Sequence, residues 1–124
     1  MPDPNATPSL SVLVVDNDPD SADALALLLE NWNHRVCVAY SGIQGIEVFR
    51  AQRPSVVLLD IGLPDMDGYE VARALRSEEH HAVLVALTGF GGDSDLRAAE
   101  EAGFDRHFVK PLDVGRLRDL LASL

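Results

Sequence analysis

The sequence predicts an α/β domain built on one parallel sheet, with helices on both of its faces. Three observations carry that expectation. Short aliphatic runs alternate with segments of helical spacing, and the alternation repeats five times. The links between segments are short. Cap and stop residues stand where the helical segments begin and end. Strand and helix in strict alternation with short links imply parallel strands joined by helical crossovers.

The first run, Leu10 to Val15, is aliphatic and ends in Asp16-Asn17-Asp18. Continuous apolar runs of this length suit strands buried on both faces. Asp18-Pro19 then offers a cap followed by proline in the first helical turn. Ala22, Leu25, Ala26, Leu29 and Trp32 recur mainly at three- and four-residue spacing, as the core face of a helix requires. Val36 to Ala39 is the second strand, with Cys37 expected to be a buried structural thiol. Ile43, Ile46 and Phe49 mark the second helix. Val56 to Leu59 is the most apolar run and reads as the central strand, ending at Asp60. Asp67 followed by Glu70 resembles a capping box ahead of Val71, Ala72 and Leu75. Val83 to Leu87 is the fourth strand, ending in Thr88-Gly89. Leu96, Ala99 and Ala102 mark the fourth helix, which Gly103 can stop in a left-handed conformation. His107 to Val109 is the fifth strand, ending in Lys110-Pro111. Val114, Leu117, Leu120, Leu121 and Leu124 form the last helical stripe.

A length of 124 residues suits one domain with one real core. Residues 10–124 carry that domain. Residues 1–9 read as a disordered lead or linker, because they hold three prolines and neither the basic start nor the apolar stretch of a signal peptide. The net charge of −10 argues against contact with phosphate backbones or anionic membranes. One cysteine excludes a disulfide within the chain and argues against a cysteine-based zinc site. A cytoplasmic setting is expected from this composition.

In an open parallel sheet, ligands bind outside the carboxyl ends of the strands. Asp16-Asn17-Asp18, Asp60, Thr88 and Lys110 all stand at such ends. Singly, each has an ordinary structural reading: Asp18 as a helix cap, Thr88 as a strand end, Lys110-Pro111 as a turn. Asp60 is harder to explain that way. An unpaired carboxylate at the end of a buried strand is costly, so it needs a cation. Lys110 and a divalent ion would supply one. Mg²⁺, or Mn²⁺, prefers oxygen ligands and takes one or two carboxylates together with a phosphate oxygen. Asp60 would then be a nucleophile toward phosphorus. The metal, Lys110 and the Thr88 hydroxyl would each hold one phosphoryl oxygen.

Other motifs fail on inspection. Asp16, Asp18 and Asp20 imitate the start of an EF-hand loop, but its sixth and twelfth positions are Ser21 and Leu27. Gly89-Phe90-Gly91-Gly92 lacks the last glycine of a dinucleotide fingerprint, where Ser94 stands, and reads as a flexible loop beside the site. His80-His81 reads as part of a solvated loop.

From about Leu10 to its end, the chain resembles the response-regulator receiver domains of two-component signalling. Four motifs carry the resemblance: Leu13-Val14-Val15-Asp16-Asn17-Asp18; Leu59-Asp60-Ile61-Gly62-Leu63-Pro64-Asp65-Met66-Asp67-Gly68; Ala86-Leu87-Thr88-Gly89; and Val109-Lys110-Pro111. The resemblance implies a flavodoxin-like sheet in the order 2-1-3-4-5. Asp60 falls at the family's phosphoacceptor and Asp16 at the first acid of its metal-binding pair. Gly62 falls where a backbone carbonyl binds the metal, Thr88 at the switch hydroxyl, and Lys110 at the phosphate-binding lysine. The Lys110-Pro111 bond is expected to be cis, as in the family. The implied donor is phosphohistidine on a histidine kinase or a histidine phosphotransfer domain. Partner helices would dock near Ala22 and Leu25, and the surface of the fourth and fifth helices would then change. Such a domain hydrolyses its own acyl phosphate and is not an enzyme acting on a separate product pool. A monomer or weak dimer is expected. The motifs resemble receivers that stand alone or are attached to hybrid sensor histidine kinases.

Two departures stand out. Asn17 replaces the second acid, usually a direct metal ligand. Its amide oxygen can bind Mg²⁺ without adding charge, so binding weaker by roughly tenfold, about 1.4 kcal/mol, is expected. Asp18 either compensates or serves only as a cap. His107 replaces the usual aromatic switch ring and can titrate near neutral pH; a plain strand residue is the other reading. A receiver-like interaction module that takes no phosphate is therefore the alternative function. A phosphohydrolase is disfavoured, because Gly62 stands where its second acid is generally needed.

Overall fold

The computed structural model describes residues 9–63, 65–89 and 93–124. The lead up to Pro8 and the loop Phe90-Gly91-Gly92 lie outside the described residues, as does the side chain of Leu96. Strands β1 (Ser11–Val15), β2 (Arg35–Ala39), β3 (Val56–Asp60), β4 (Val83–Thr88) and β5 (Arg106–Val109) alternate with helices α1 (Pro19–Asn31), α2 (Gly42–Gln52), α3 (Gly68–Arg76), α4 (Asp93–Ala102) and α5 (Val114–Ala122). The five strands form one parallel sheet in the order β2-β1-β3-β4-β5, as expected.

The strand period of two divides the core between the faces. Leu13, Val15, Val57 and Leu59 point to one face, where they pack with Phe49, Val71, Leu75 and Ala99. Val12, Val14, Val56 and Leu58 point to the other, where Ala22, Leu29, Leu117 and Leu121 cover them. Every residue of β3 is buried, which is why its sequence shows no polar alternation. Burying each of these aliphatic side chains is worth about 1.5–3 kcal/mol, so β3 is a main anchor of the fold. The edge strand β2 is only partly covered, and Cys37 is half-buried rather than buried.

The helix ends follow the predicted chemistry in most places. The Asp18 carboxylate accepts the Asp20 N–H at 3.1 Å, with Pro19 in the first turn. The Asp67 carboxylate accepts the Tyr69 N–H at 2.9 Å. Gly103 ends α4 at φ +103°, a conformation that favours glycine. Three stripe residues miss the core. Ile43 is 57% exposed, Val114 48% and Leu124 41%. In α2 the buried line runs through Gly42, Gly45 and Phe49 instead, because small residues let the helix lie close to β1 and α3. Glycine carries no hydropathy signal, so periodicity found Phe49 and the partly buried Ile46 and missed the two glycines.

His80 also departs from the solvated-loop reading. It is half-buried, its Nε2 lies 2.6 Å from the Pro54 carbonyl, and its ring tilts against Phe49 at 5.5 Å. No described helix is long and apolar enough to cross a membrane.

Candidate functional site

Parallel ladders carry the polar residues to one rim. The Asp16 N–H donates to the Ala39 carbonyl at 3.1 Å, just past the end of β1. The Ile61 N–H donates to the Leu87 carbonyl at 3.0 Å, so the β3–β4 pairing holds as far as Asp60. The Lys110 N–H donates to the Thr88 carbonyl at 2.7 Å, which ties the carboxyl ends of β4 and β5 together. The Lys110-Pro111 peptide is cis.

Asp16, Asp60 and Thr88 are buried at this rim, at 6%, 8% and 6% exposure. The Lys110 ammonium reaches Asp60 Oδ2 at 3.1 Å. Asp60 Oδ1 accepts the Gly62 N–H at 3.0 Å. A Cβ on Gly62 would sit 3.7 Å from that same oxygen, an ordinary van der Waals contact. Asp16 Oδ1 accepts the Asp18 N–H at 3.0 Å. Burial pushes the Asp16 carboxyl above its ordinary value, and the facing Asp60 adds to the push; the Asp18 N–H and the Lys110 charge oppose it.

Two facing carboxylates, Asp16 pushed up by burial and by the charge of Asp60, can hold a hard cation, which prefers oxygen ligands. Among the described residues no three His, Cys, Asp or Glu side chains form a metal cage. Asn17, exposed just past the end of β1, adds an amide and no charge. The two carboxylates are oxygen donors of the kind that Mg²⁺ takes.

A cavity of about 230 Å³ opens beside the rim between Asp16, Ser21, Leu25, Lys110, Pro111 and Leu112. Leu25, of the two α1 residues around which a partner was expected to dock, lines this cavity, and Ala22 is buried in the core beneath. His107 pairs with Ala86 in the sheet and is half-buried. Its Nε2 is buried and has no hydrogen-bond partner among the described residues.

Sequence reasoning overlooked Asp65, whose two oxygens accept the Gly42 N–H at 2.9 Å and the Ile43 N–H at 3.0 Å. The available signal was indirect: α2 has no acid in its own first turn. Tyr40 was overlooked as well. Its hydroxyl donates to Asp23 Oδ1 at 2.6 Å and links the end of β2 to α1.

Residues 12–122 match the family described as response regulator receiver domain. The probable transcriptional regulatory protein TcrX of Mycobacterium tuberculosis is 40% identical over 118 residues, covering 90% of this chain and 50% of that protein. The transcriptional regulatory protein AfsQ1 of Streptomyces coelicolor is 38% identical over 109 residues, covering 88% of this chain and 48% of that protein. The chain thus spans about half the length of these curated relatives. Among solved structures, the receiver domain of sensor histidine kinase PA1611 from Pseudomonas aeruginosa superimposes with a TM-score of 0.84 at 26% identity, covering 94% of this chain and 97% of that one. That structure has a magnesium ion coordinated in its active site cleft.

Proposed function

Since this chain belongs to the response regulator receiver domain family, we propose that it takes a phosphoryl group onto Asp60 from phosphohistidine on a histidine kinase or a phosphotransfer domain. The observation that carries this reading is the Lys110 ammonium 3.1 Å from the Asp60 carboxylate, at the open end of a fully buried strand. The relative with magnesium in its cleft supports an ion at the same rim.

One Asp60 oxygen attacks phosphorus. The new P–O bond forms as the N–P bond breaks, and its electron pair returns to the donor imidazole. Lys110 then moves its charge from the carboxylate to a phosphoryl oxygen, and Thr88 takes another through its hydroxyl. Asp16, Asn17, Asp60 and the Gly62 carbonyl would hold Mg²⁺, which supplies neutralisation of charge at the phosphoryl oxygens. Leu25, Pro111 and Leu112 offer the apolar ground on which the donor docks. Movement of Thr88 is relayed through His107 to the surface of α4 and α5. The domain later hydrolyses its own acyl phosphate.

Incubation with acetyl phosphate and Mg²⁺, read by intact mass, tests this directly. A gain of one phosphoryl group is expected, and its loss in Asp60→Asn. Absence of any adduct, with beryllofluoride also causing no spectral change, would leave the interaction-module reading in its place.

A further inference from the structure

The loop between β3 and α3 makes a contact that the phosphoryl chemistry does not use. Helix α2 begins at Gly42, and its first free amides need acceptors. The Gln44 N–H goes to the Ser41 hydroxyl at 3.1 Å. The Gly42 and Ile43 N–H groups go to the two Asp65 oxygens, 23 and 22 residues further along the chain. Those bonds hold the Asp65 carboxyl below the usual carboxylate range. A carboxylate at a helix amino terminus is also favoured by the helix dipole.

The same loop is closed at its base. The Gly68 N–H donates to the Ile61 carbonyl at 3.2 Å. A Cβ on Gly68 would lie 2.6 Å from the Ile61 Cα, so only glycine permits this approach. Met66 and Val71 also pack on α2, where a Cβ on Gly42 would meet them at 3.0 and 2.9 Å. The segment that leaves Asp60 is therefore tied at its base through Ile61 and Gly68 and, further out, at Asp65. Gly62 stands between these points.

We propose that Asp65 is a positioning residue for the metal: by clasping the β3–α3 loop to the amino terminus of α2, it holds the Gly62 carbonyl in place for Mg²⁺. This rests on the reading above, in which that carbonyl is a metal ligand. A preordered loop spares the ion the entropic cost of ordering it, so the clasp acts on affinity. Asp65→Ala removes both acceptors. Asp65→Asn leaves one acceptor oxygen and introduces donors that face donors.

Mg²⁺ titration by calorimetry is paired with amide hydrogen exchange at Gly42 and Ile43 in metal-free protein. Ser41→Ala serves as the control, because it weakens the same helix end without touching the loop. Asp65→Ala is expected to speed exchange and weaken Mg²⁺ about three- to tenfold, with Asp65→Asn between it and the unaltered protein. Ser41→Ala is expected to lower Tm and leave Mg²⁺ affinity unchanged. Faster exchange with unchanged Mg²⁺ affinity overturns the proposal and leaves Asp65 as a helix cap only. Equal weakening by Ser41→Ala overturns it too, because the effect then belongs to helix stability. Failure of the unaltered protein to bind Mg²⁺ overturns the functional reading itself, and this inference with it.

Discussion

At the amino ends of β4 and β5, Arg76 donates to the Gly103 carbonyl at 2.7 Å, to the Ala82 carbonyl at 2.9 Å and to the Asp105 carboxylate. Asp105 in turn accepts the Leu84 N–H at 2.9 Å. Arg50 pairs with Glu78 nearby. At the carboxyl ends of the same sheet, Asp16 faces Asp60 and is pushed up by burial, and Lys110 serves both acids. At the amino end each charge has its acceptors and binds elements together. At the carboxyl end two acids share one ammonium, and among the described residues no second cation pairs with either. The first arrangement stabilises the fold. The second costs stability and leaves the rim ready for a cation and an anion.

Arg76→Ala breaks this comparison most severely if it is wrong. The change removes three hydrogen bonds, one of them charge-assisted on both sides, and leaves Asp105 without its guanidinium. A loss of about 2–4 kcal/mol in urea unfolding is expected. Mg²⁺ affinity, measured well below Tm, should stay within about twofold, since nothing at the rim touches Arg76. A parallel loss of affinity would mean that the two ends are coupled.

Asp16→Asn and Asn17→Asp sharpen the contrast in opposite directions. A carboxyl raised in the folded state binds its proton more tightly there than in the unfolded chain. Asp16 therefore contributes stability at acid pH, and that contribution is lost as pH rises from its ordinary value near 3.8 through the raised folded value. Asp16→Asn keeps an acceptor for the Asp18 N–H and removes the charge. Without metal it should raise Tm by about 3–5 °C at pH 7, with the gain fading as pH falls through the raised folded value and gone near pH 3.8, while Mg²⁺ binding falls more than tenfold. Asn17→Asp should lower the metal-free Tm and tighten Mg²⁺ by roughly tenfold. A Tm that moves the same way in both variants would remove the claim that the rim is short of positive charge.

The legibility of each end follows from the range of its interactions. The sheet and its order were readable because strand runs and helix spacing are local, and β3 is so deeply buried that Val56-Val57-Leu58-Leu59 admits nothing polar. Asp16, Asp60, Thr88 and Lys110 were readable because a parallel sheet gathers its strand ends at one rim, whatever the distance along the chain. Asp65 and Arg76 were not. Asp65 acts on amides 23 and 22 residues away and Arg76 on a carbonyl 27 residues away as well as one nearby, and these are carbonyls and amides that every sequence contains. The glycine part of the α2 core face went unread for a related reason: Gly42 and Gly45 pack by what they lack.

The smallest effect lies at the amino end of β2, where His34 is a polar group satisfied only in one charge state. It is 6% exposed, and its Nδ1 accepts the Leu10 N–H at 3.1 Å. That bond requires a neutral ring with the lone pair on Nδ1. Burial holds the His34 pKa below its ordinary 6.5. The unfolded chain therefore takes up the proton first as pH falls. The contribution of His34 is complete above pH 6.5 and is lost progressively below it, toward the depressed folded value. Urea unfolding of the unaltered protein and of His34→Gln, at pH 7.5 and 5.5, isolates this group because other titrations cancel in the difference. The gap in stability should narrow by about 1 kcal/mol or less at the lower pH. An unchanged gap would mean that the ring binds its proton alike in the folded and unfolded chain, so that the Nδ1 bond adds no pH-dependent stability beyond the backbone bond from the Arg35 N–H to the Leu10 carbonyl at 2.9 Å.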